Sequence, residues 1–107
     1  MPDRERDVES YLSKALTPLG LAAYKFIPDN RIGMPDRLIT LPDERVIWVE
    51  TKTKGGHLSV VQQLRHRELQ QHGQRVVTVW TKKDVDKLVT LLHNELGEYD
   101  LNLDNDS

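Results

Sequence analysis

The chain has 107 residues, 15 Lys and Arg against 17 Asp and Glu, and no cysteine. That length suits one domain with a modest core, the missing cysteines exclude disulfides and thiolate metal sites and fit a reducing compartment, and neither a membrane span nor a secretory signal is read in the chain, whose N-terminus is Met1-Pro2-Asp3-Arg4. The net charge of −2 hides a polarity: residues 95–107 hold five acids and no base, whereas Lys25 to Lys83 hold 11 basic and 6 acidic residues, a basic centre compatible with phosphate binding.

In chain order, residues 3–19 are predicted to be a helix, because Val8, Leu12, Leu16 and Leu19 recur at helical spacing and Gly20 supplies a stop. Ala22–Ile27 alternates loosely as a strand and ends at the turn cluster Pro28-Asp29-Asn30. Arg37–Leu41 and Arg45–Lys52 read as two strands joined by the short turn Pro42-Asp43-Glu44. Thr53-Lys54-Gly55-Gly56-His57 is a flexible loop, Ser59 a helix cap, and Val60–His72 a helix closed by Gly73. Arg75–Trp80 is a strand, and Asp84 is expected to cap a last helix carrying Val85, Leu88, Leu91 and Leu92. From Gly97 the chain is acidic and expected to be a flexible tail, so the domain is placed at 1–96 and the tail at 97–107. The order α-β-β-β-α-β-α predicts an α/β sandwich, a mixed four-stranded sheet flanked by helices.

The chemistry concentrates at the base of the hairpin. If Leu41 pairs with Arg45, Asp36 falls opposite Glu50, with Cβ atoms about 5 Å apart. Lys52 shares the face of Glu50 by the period of two. Like charges facing each other destabilise a hairpin unless a cation lies between them, and hard oxygen ligands at that separation suit Mg²⁺ or Mn²⁺. Gly33 and Pro35 give Asp36 a rigid entry. The Thr51 carbonyl is a further candidate ligand, Glu9 lies at the margin of the first helix's apolar stripe, and Glu5, one turn earlier, is a weaker candidate. Lys52 would lie near the attacking water or the scissile phosphate.

Ser59-Val60-Val61-Gln62 fits a capping box, and Gln62 is also placed to touch water or phosphate. His66 lies on the same helix face, one turn on, as a weak candidate base. The four histidines lack the compact spacing of a zinc site. Lys25, Arg31, Arg37, Lys54, His57 and Arg65 are the candidate nucleic-acid contacts, with Lys54-Gly55-Gly56-His57 the best-placed loop. Ordinary structural readings stand beside these: a turn before a strand for Asp36, a frayed strand end for Glu50 and Lys52, and solvated charges for the basic residues.

The succession Gly33-Met34-Pro35-Asp36-Arg37, then Val49-Glu50-Thr51-Lys52, then Gly56-His57-Leu58-Ser59-Val60-Val61-Gln62 resembles the VRR-NUC domain of the PD-(D/E)XK nuclease superfamily, over a stretch from Glu9 to about Leu92. The resemblance implies a restriction-endonuclease-like core, with Asp36 and Glu50 as metal-binding acids, Lys52 as the catalytic lysine, Glu9 as the helix-one acid and Gln62 as the active-site glutamine. The family commonly has Pro where Val60 stands, a departure that touches helix geometry and no chemistry. It further implies a free-standing viral or bacterial type, working in the cytoplasm of a bacterium or an infected cell and similar to Holliday-junction resolvases that act as homodimers on branched DNA. A flap-, end- or duplex-directed nuclease, a non-catalytic DNA-binding module of the same fold and a plain α/β domain remain open, and cleavage of different DNA structures with and without metal separates them.

Overall fold

A computed structural model describes residues 3–27 and 32–106. The turn cluster 28–30 and the candidate contact Arg31 lie outside the described residues. The first helix, α1, spans Glu5–Leu16 and buries Val8, Leu12 and Leu16, each one turn from the next, so a single stripe faces the core. It is shorter than the sequence pattern suggests. Pro18 has no N–H to continue the helical ladder, so residues Thr17–Leu19 tighten into a 3₁₀ turn.

Four strands follow: β1 (Ala23–Lys25), β2 (Arg37–Thr40), β3 (Val46–Thr51) and β4 (Arg75–Val79). They lie side by side in the order β1-β2-β3-β4, antiparallel except for the parallel β3–β4 pair. The parallel pair is joined by helix α2 (Val60–Gln71), the long crossover that a parallel connection requires. In the hairpin, Arg37 pairs with Val49 and Thr40 with Val46, and the Leu41 N–H donates to the Arg45 carbonyl, so the register anticipated from the turn is the register observed.

The period of two then sorts β3. Ile47, Val49 and Thr51 point to the face covered by α1 and the last helix, α3 (Lys82–Asp106), where they join Leu12, Ile39, Val79, Val85 and Leu92 in one buried core. Trp48 and Glu50 point to the opposite face, toward α2. There Phe26 packs edge-on against Trp48, with ring centroids 5.0 Å apart.

The start of α3 differs from the simple expectation. Thr81 is the cap, its hydroxyl accepting from the Asp84 N–H, while the Asp84 carboxylate reaches back to the N–H groups of Thr81 and Trp80. Asp84 is therefore the return arm of a capping box. At its other end α3 continues through Gly97 to Asp106. Glu95 belongs to the folded body: its carboxylate pairs with Arg75 at 3.0 Å and Arg45 at 3.4 Å, tying α3 to β4 and to the residue just before β3.

Gly33 is a tight point. Its φ is +83°, and a Cβ there would lie 2.6 Å from the Val61 side chain and 2.7 Å from the Val61 carbonyl oxygen. The loop carrying Asp36 thus presses its backbone against the first turn of α2. We predict that Gly33→Ala costs at least about 2 kcal/mol, from left-handed strain plus overpacking. Urea unfolding checks this, and an unchanged midpoint would refute the close approach.

Candidate active site

The candidate residues gather where the carboxyl end of β3 meets the start of β2 and the first turns of α1. Asp36 sits one residue before β2. Its carboxylate accepts from the Thr51 N–H at 3.2 Å and from the Thr51 hydroxyl at 2.8 Å. The same hydroxyl lies 3.0 Å from a Glu9 carboxylate oxygen. A hydroxyl has one proton, and here it stands between two carboxylates, so the pair still lacks positive charge. Arg37 supplies some of it, its guanidinium lying 3.0 Å from Glu9.

Glu5, Glu9 and Asp36 each offer a carboxylate oxygen, and these oxygens lie within 4.8 Å of one another. Oxygens around a Mg²⁺ in octahedral geometry are about 3 to 4 Å apart, so a small closure of the side chains fits this trio to a hard cation. Glu5 and Glu9 are one helical turn apart, which is how the exposed Glu5 joins the group.

Glu50 is placed differently from the hairpin arithmetic. The register does bring Asp36 opposite Glu50, but beyond the last pair of β2 the Asp36 side chain swings toward Thr51. Glu50 is 3% exposed, and one carboxylate oxygen lies 3.4 Å from His66 Nε2 with no hydrogen-bond partner for either atom. Burial, then the charge of Asp36, push the Glu50 pKa up from 4.5 to about 7; Lys52 opposes the shift, while Glu5 and Glu9 add to it. The His66 pKa is lowered, by burial first and then by Lys52, which favours the neutral imidazole. Lys52 follows on β3, half-buried, its N–H donating to the Val79 carbonyl.

The other candidates divide. Gln62 forms the capping box: its side-chain oxygen accepts from the Ser59 N–H at 2.9 Å, and its own N–H donates to the Ser59 hydroxyl at 3.1 Å. Val60, the first residue of α2, leaves that cap intact. Lys25, Lys54 and His57 are exposed, as nucleic-acid contacts need to be. Two arginines are turned inward instead. Arg37 braces Glu9, and Arg65 donates to the Ile32 carbonyl at 3.0 Å and pairs with Glu68 at 3.3 Å, locking the loop to α2. The Thr51 hydroxyl, the Arg37–Glu9 pair and the His66–Glu50 contact are what sequence reasoning missed. Parity with Val49 was the available signal for Thr51.

A protein of Acyrthosiphon pisum secondary endosymbiont phage 1 that is named as a nuclease, p44, is 36% identical to this chain over 76 residues, which span 71% of this chain and 82% of the phage protein. A solved structure described as a VRR_NUC domain superposes with a TM-score of 0.74 at 30% identity, covering 80% of this chain and 94% of that one. The chain belongs to the VRR-NUC family of nucleases. No family model matches it. Within the VRR-NUC fold, the convergence of α1, β2 and β3 at the carboxyl end of the parallel pair is where an open sheet is expected to bind its ligand.

The raised Glu50 pKa has a definite sign. In the metal-free protein, folding takes up a proton at Glu50 between pH 4.5 and about 7, so its contribution to stability is full at acid pH, falls as pH rises through that window and then levels. A shift of that size corresponds to roughly 3 kcal/mol. We predict that Glu50→Gln flattens this part of the stability profile and raises the metal-free melting temperature above the window. Parallel pH profiles for parent and variant would refute it.

Proposed function

We propose that this VRR-NUC protein is a Mg²⁺- or Mn²⁺-dependent, structure-selective DNA endonuclease that resolves four-way junctions as a homodimer. The observation that carries the reading is the trio Glu5, Glu9 and Asp36, whose carboxylate oxygens lie within 4.8 Å of one another, beside the strand end that carries Glu50 and Lys52. The donor set is all oxygen and acidic, as a hard divalent cation requires. Glu9, Asp36 and Glu50 would hold the ion, with Glu5 and the Thr51 carbonyl as additional donors. When bound, the cation supplies Lewis acidity and a water of lowered pKa.

The chain's own groups do the rest. The Thr51 N–H and hydroxyl fix the orientation of Asp36. Arg37 keeps Glu9 in place and limits its repulsion from Asp36. Lys52 balances negative charge that develops on the phosphate oxygens during in-line attack. Gln62, its oxygen held by Ser59, keeps its amide NH₂ to orient water or phosphate. Lys25, Lys54 and His57 contact the DNA backbone, so recognition is of shape more than of base sequence.

Cutting a two-fold symmetric junction needs two active sites, which a C2 dimer of a small domain provides. The exposed Ile32, Val60 and Leu64, 70%, 72% and 50% accessible, support such a pairing surface. We place the working protein in the cytoplasm. Among the described residues no helix is long and apolar enough to cross a membrane.

The test is cleavage of labelled four-way junction, flap and plain duplex DNA with Mn²⁺, Mg²⁺ or chelator. We predict paired symmetric nicks in the junction, abolished by chelator and reduced roughly a hundredfold or more by Asp36→Asn or Lys52→Ala. Cutting confined to flaps or ends would retain the nuclease and discard the resolvase. Metal-independent binding without any cut would identify a non-catalytic module.

A further inference from the structure

Helix α2 buries only one of its 12 residues, and that residue is His66. A helix laid on a sheet ordinarily buries an apolar stripe. Here the inward position carries an imidazole whose Nε2 faces a Glu50 oxygen at 3.4 Å, with the two side chains 9% and 4% exposed. Neither atom has a hydrogen-bond partner in this arrangement. A buried polar atom left unpaired is costly, and an apolar side chain at 66 would remove the imidazole's share of that cost. The position is therefore poor for stability alone.

We infer that His66 is a positioning residue for Glu50, its Nε2–H donating to the carboxylate and holding one oxygen so that the other faces the metal. This rests on Glu50 being a metal-binding acid. The observed separation exceeds the roughly 2.7–2.9 Å of a charge-assisted hydrogen bond, and a modest rotation of the carboxylate closes the gap. Carboxylates that bind metals are held by such outer partners, and losing one typically weakens metal affinity by about 10- to 100-fold.

The surrounding structure fixes His66 for this task. It lies one turn after Gln62, whose capping box anchors the start of α2. The same stretch of α2 grips the loop that delivers Asp36, through Gly33 against Val61 and Arg65 on the Ile32 carbonyl. One helix thus registers Glu50 by a side chain and Asp36 by a loop, so the spacing of the two acids is set by α2.

The experiment measures Mn²⁺ binding by titration calorimetry, alongside metal-free thermal unfolding, for the parent, His66→Leu, His66→Gln and Glu50→Gln. We expect His66→Leu to fold at least as stably as the parent yet bind Mn²⁺ about tenfold or more weakly. His66→Gln, whose amide NH₂ can donate from nearly the same place, should recover most of the affinity. Parent-like Mn²⁺ binding by His66→Leu, with binding lost in Glu50→Gln, would overturn the role of His66 and leave Glu50 as a ligand. Unchanged binding in Glu50→Gln would instead overturn the metal role of Glu50, and the inference with it. If His66→Leu does not fold, His66→Ala takes its place in the same comparison.

Discussion

A one-residue slip of β2 against β3 would turn Ile47, Val49 and Thr51 away from the core and drive Glu50 into it. The pairing of Arg37 with Val49 prevents this, and nearly every feature of the site descends from that register. It puts Arg37 on the α1 side, where its guanidinium meets Glu9. It brings Asp36 to the end of β3, within reach of both the N–H and the hydroxyl of Thr51. It leaves Glu50 on the other face, beneath α2. The buried apolar run of β3 holds the register, because each alternative exposes apolar area worth about 25 cal/mol per Å².

The second constraint is the crowding of negative charge. Four carboxylates approach one strand end, and Glu50 is among the most buried residues of the chain. The structure offsets this locally, with Arg37 on Glu9, the Thr51 hydroxyl between Glu9 and Asp36, and Lys52 acting on Glu50. The offset is incomplete, since Glu50 still titrates near neutrality. A fold selected for stability alone would not retain such a cluster, and local conflict of this kind is characteristic of functional sites. The core beneath, built from α1, α3 and one sheet face, carries no such conflict.

Much of this was legible beforehand. The apolar stripe of α1, the alternation of β3 and the turn at Pro42-Asp43-Glu44 identify their elements because each obeys one period locally. Glu50 and Lys52 stand out as charges closing an apolar strand, and Asp36 as the residue the hairpin sets opposite. Other partners lie beyond local pattern. Arg37 and Arg65 look like free cations in a basic stretch, and only the tertiary structure pairs them with Glu9 and with the Ile32 carbonyl. Glu95 lies in an acidic C-terminal stretch, and only the tertiary structure shows that it pairs with Arg75 of β4 and with Arg45 just before β3.

The amino-acid sequence by itself determined the order of elements and the hairpin register that sets Asp36 opposite Glu50, because those depend on spacing within one strand or one turn. Only the tertiary structure decided which groups meet across elements. Glu5 and Glu9 on α1 converge with Asp36 because α1 packs on the face that Thr51 shares. His66 meets Glu50 because α2 crosses the other face on its way from β3 to β4. Such contacts join residues 16 to 42 positions apart, and no local period encodes the packing of one element on another.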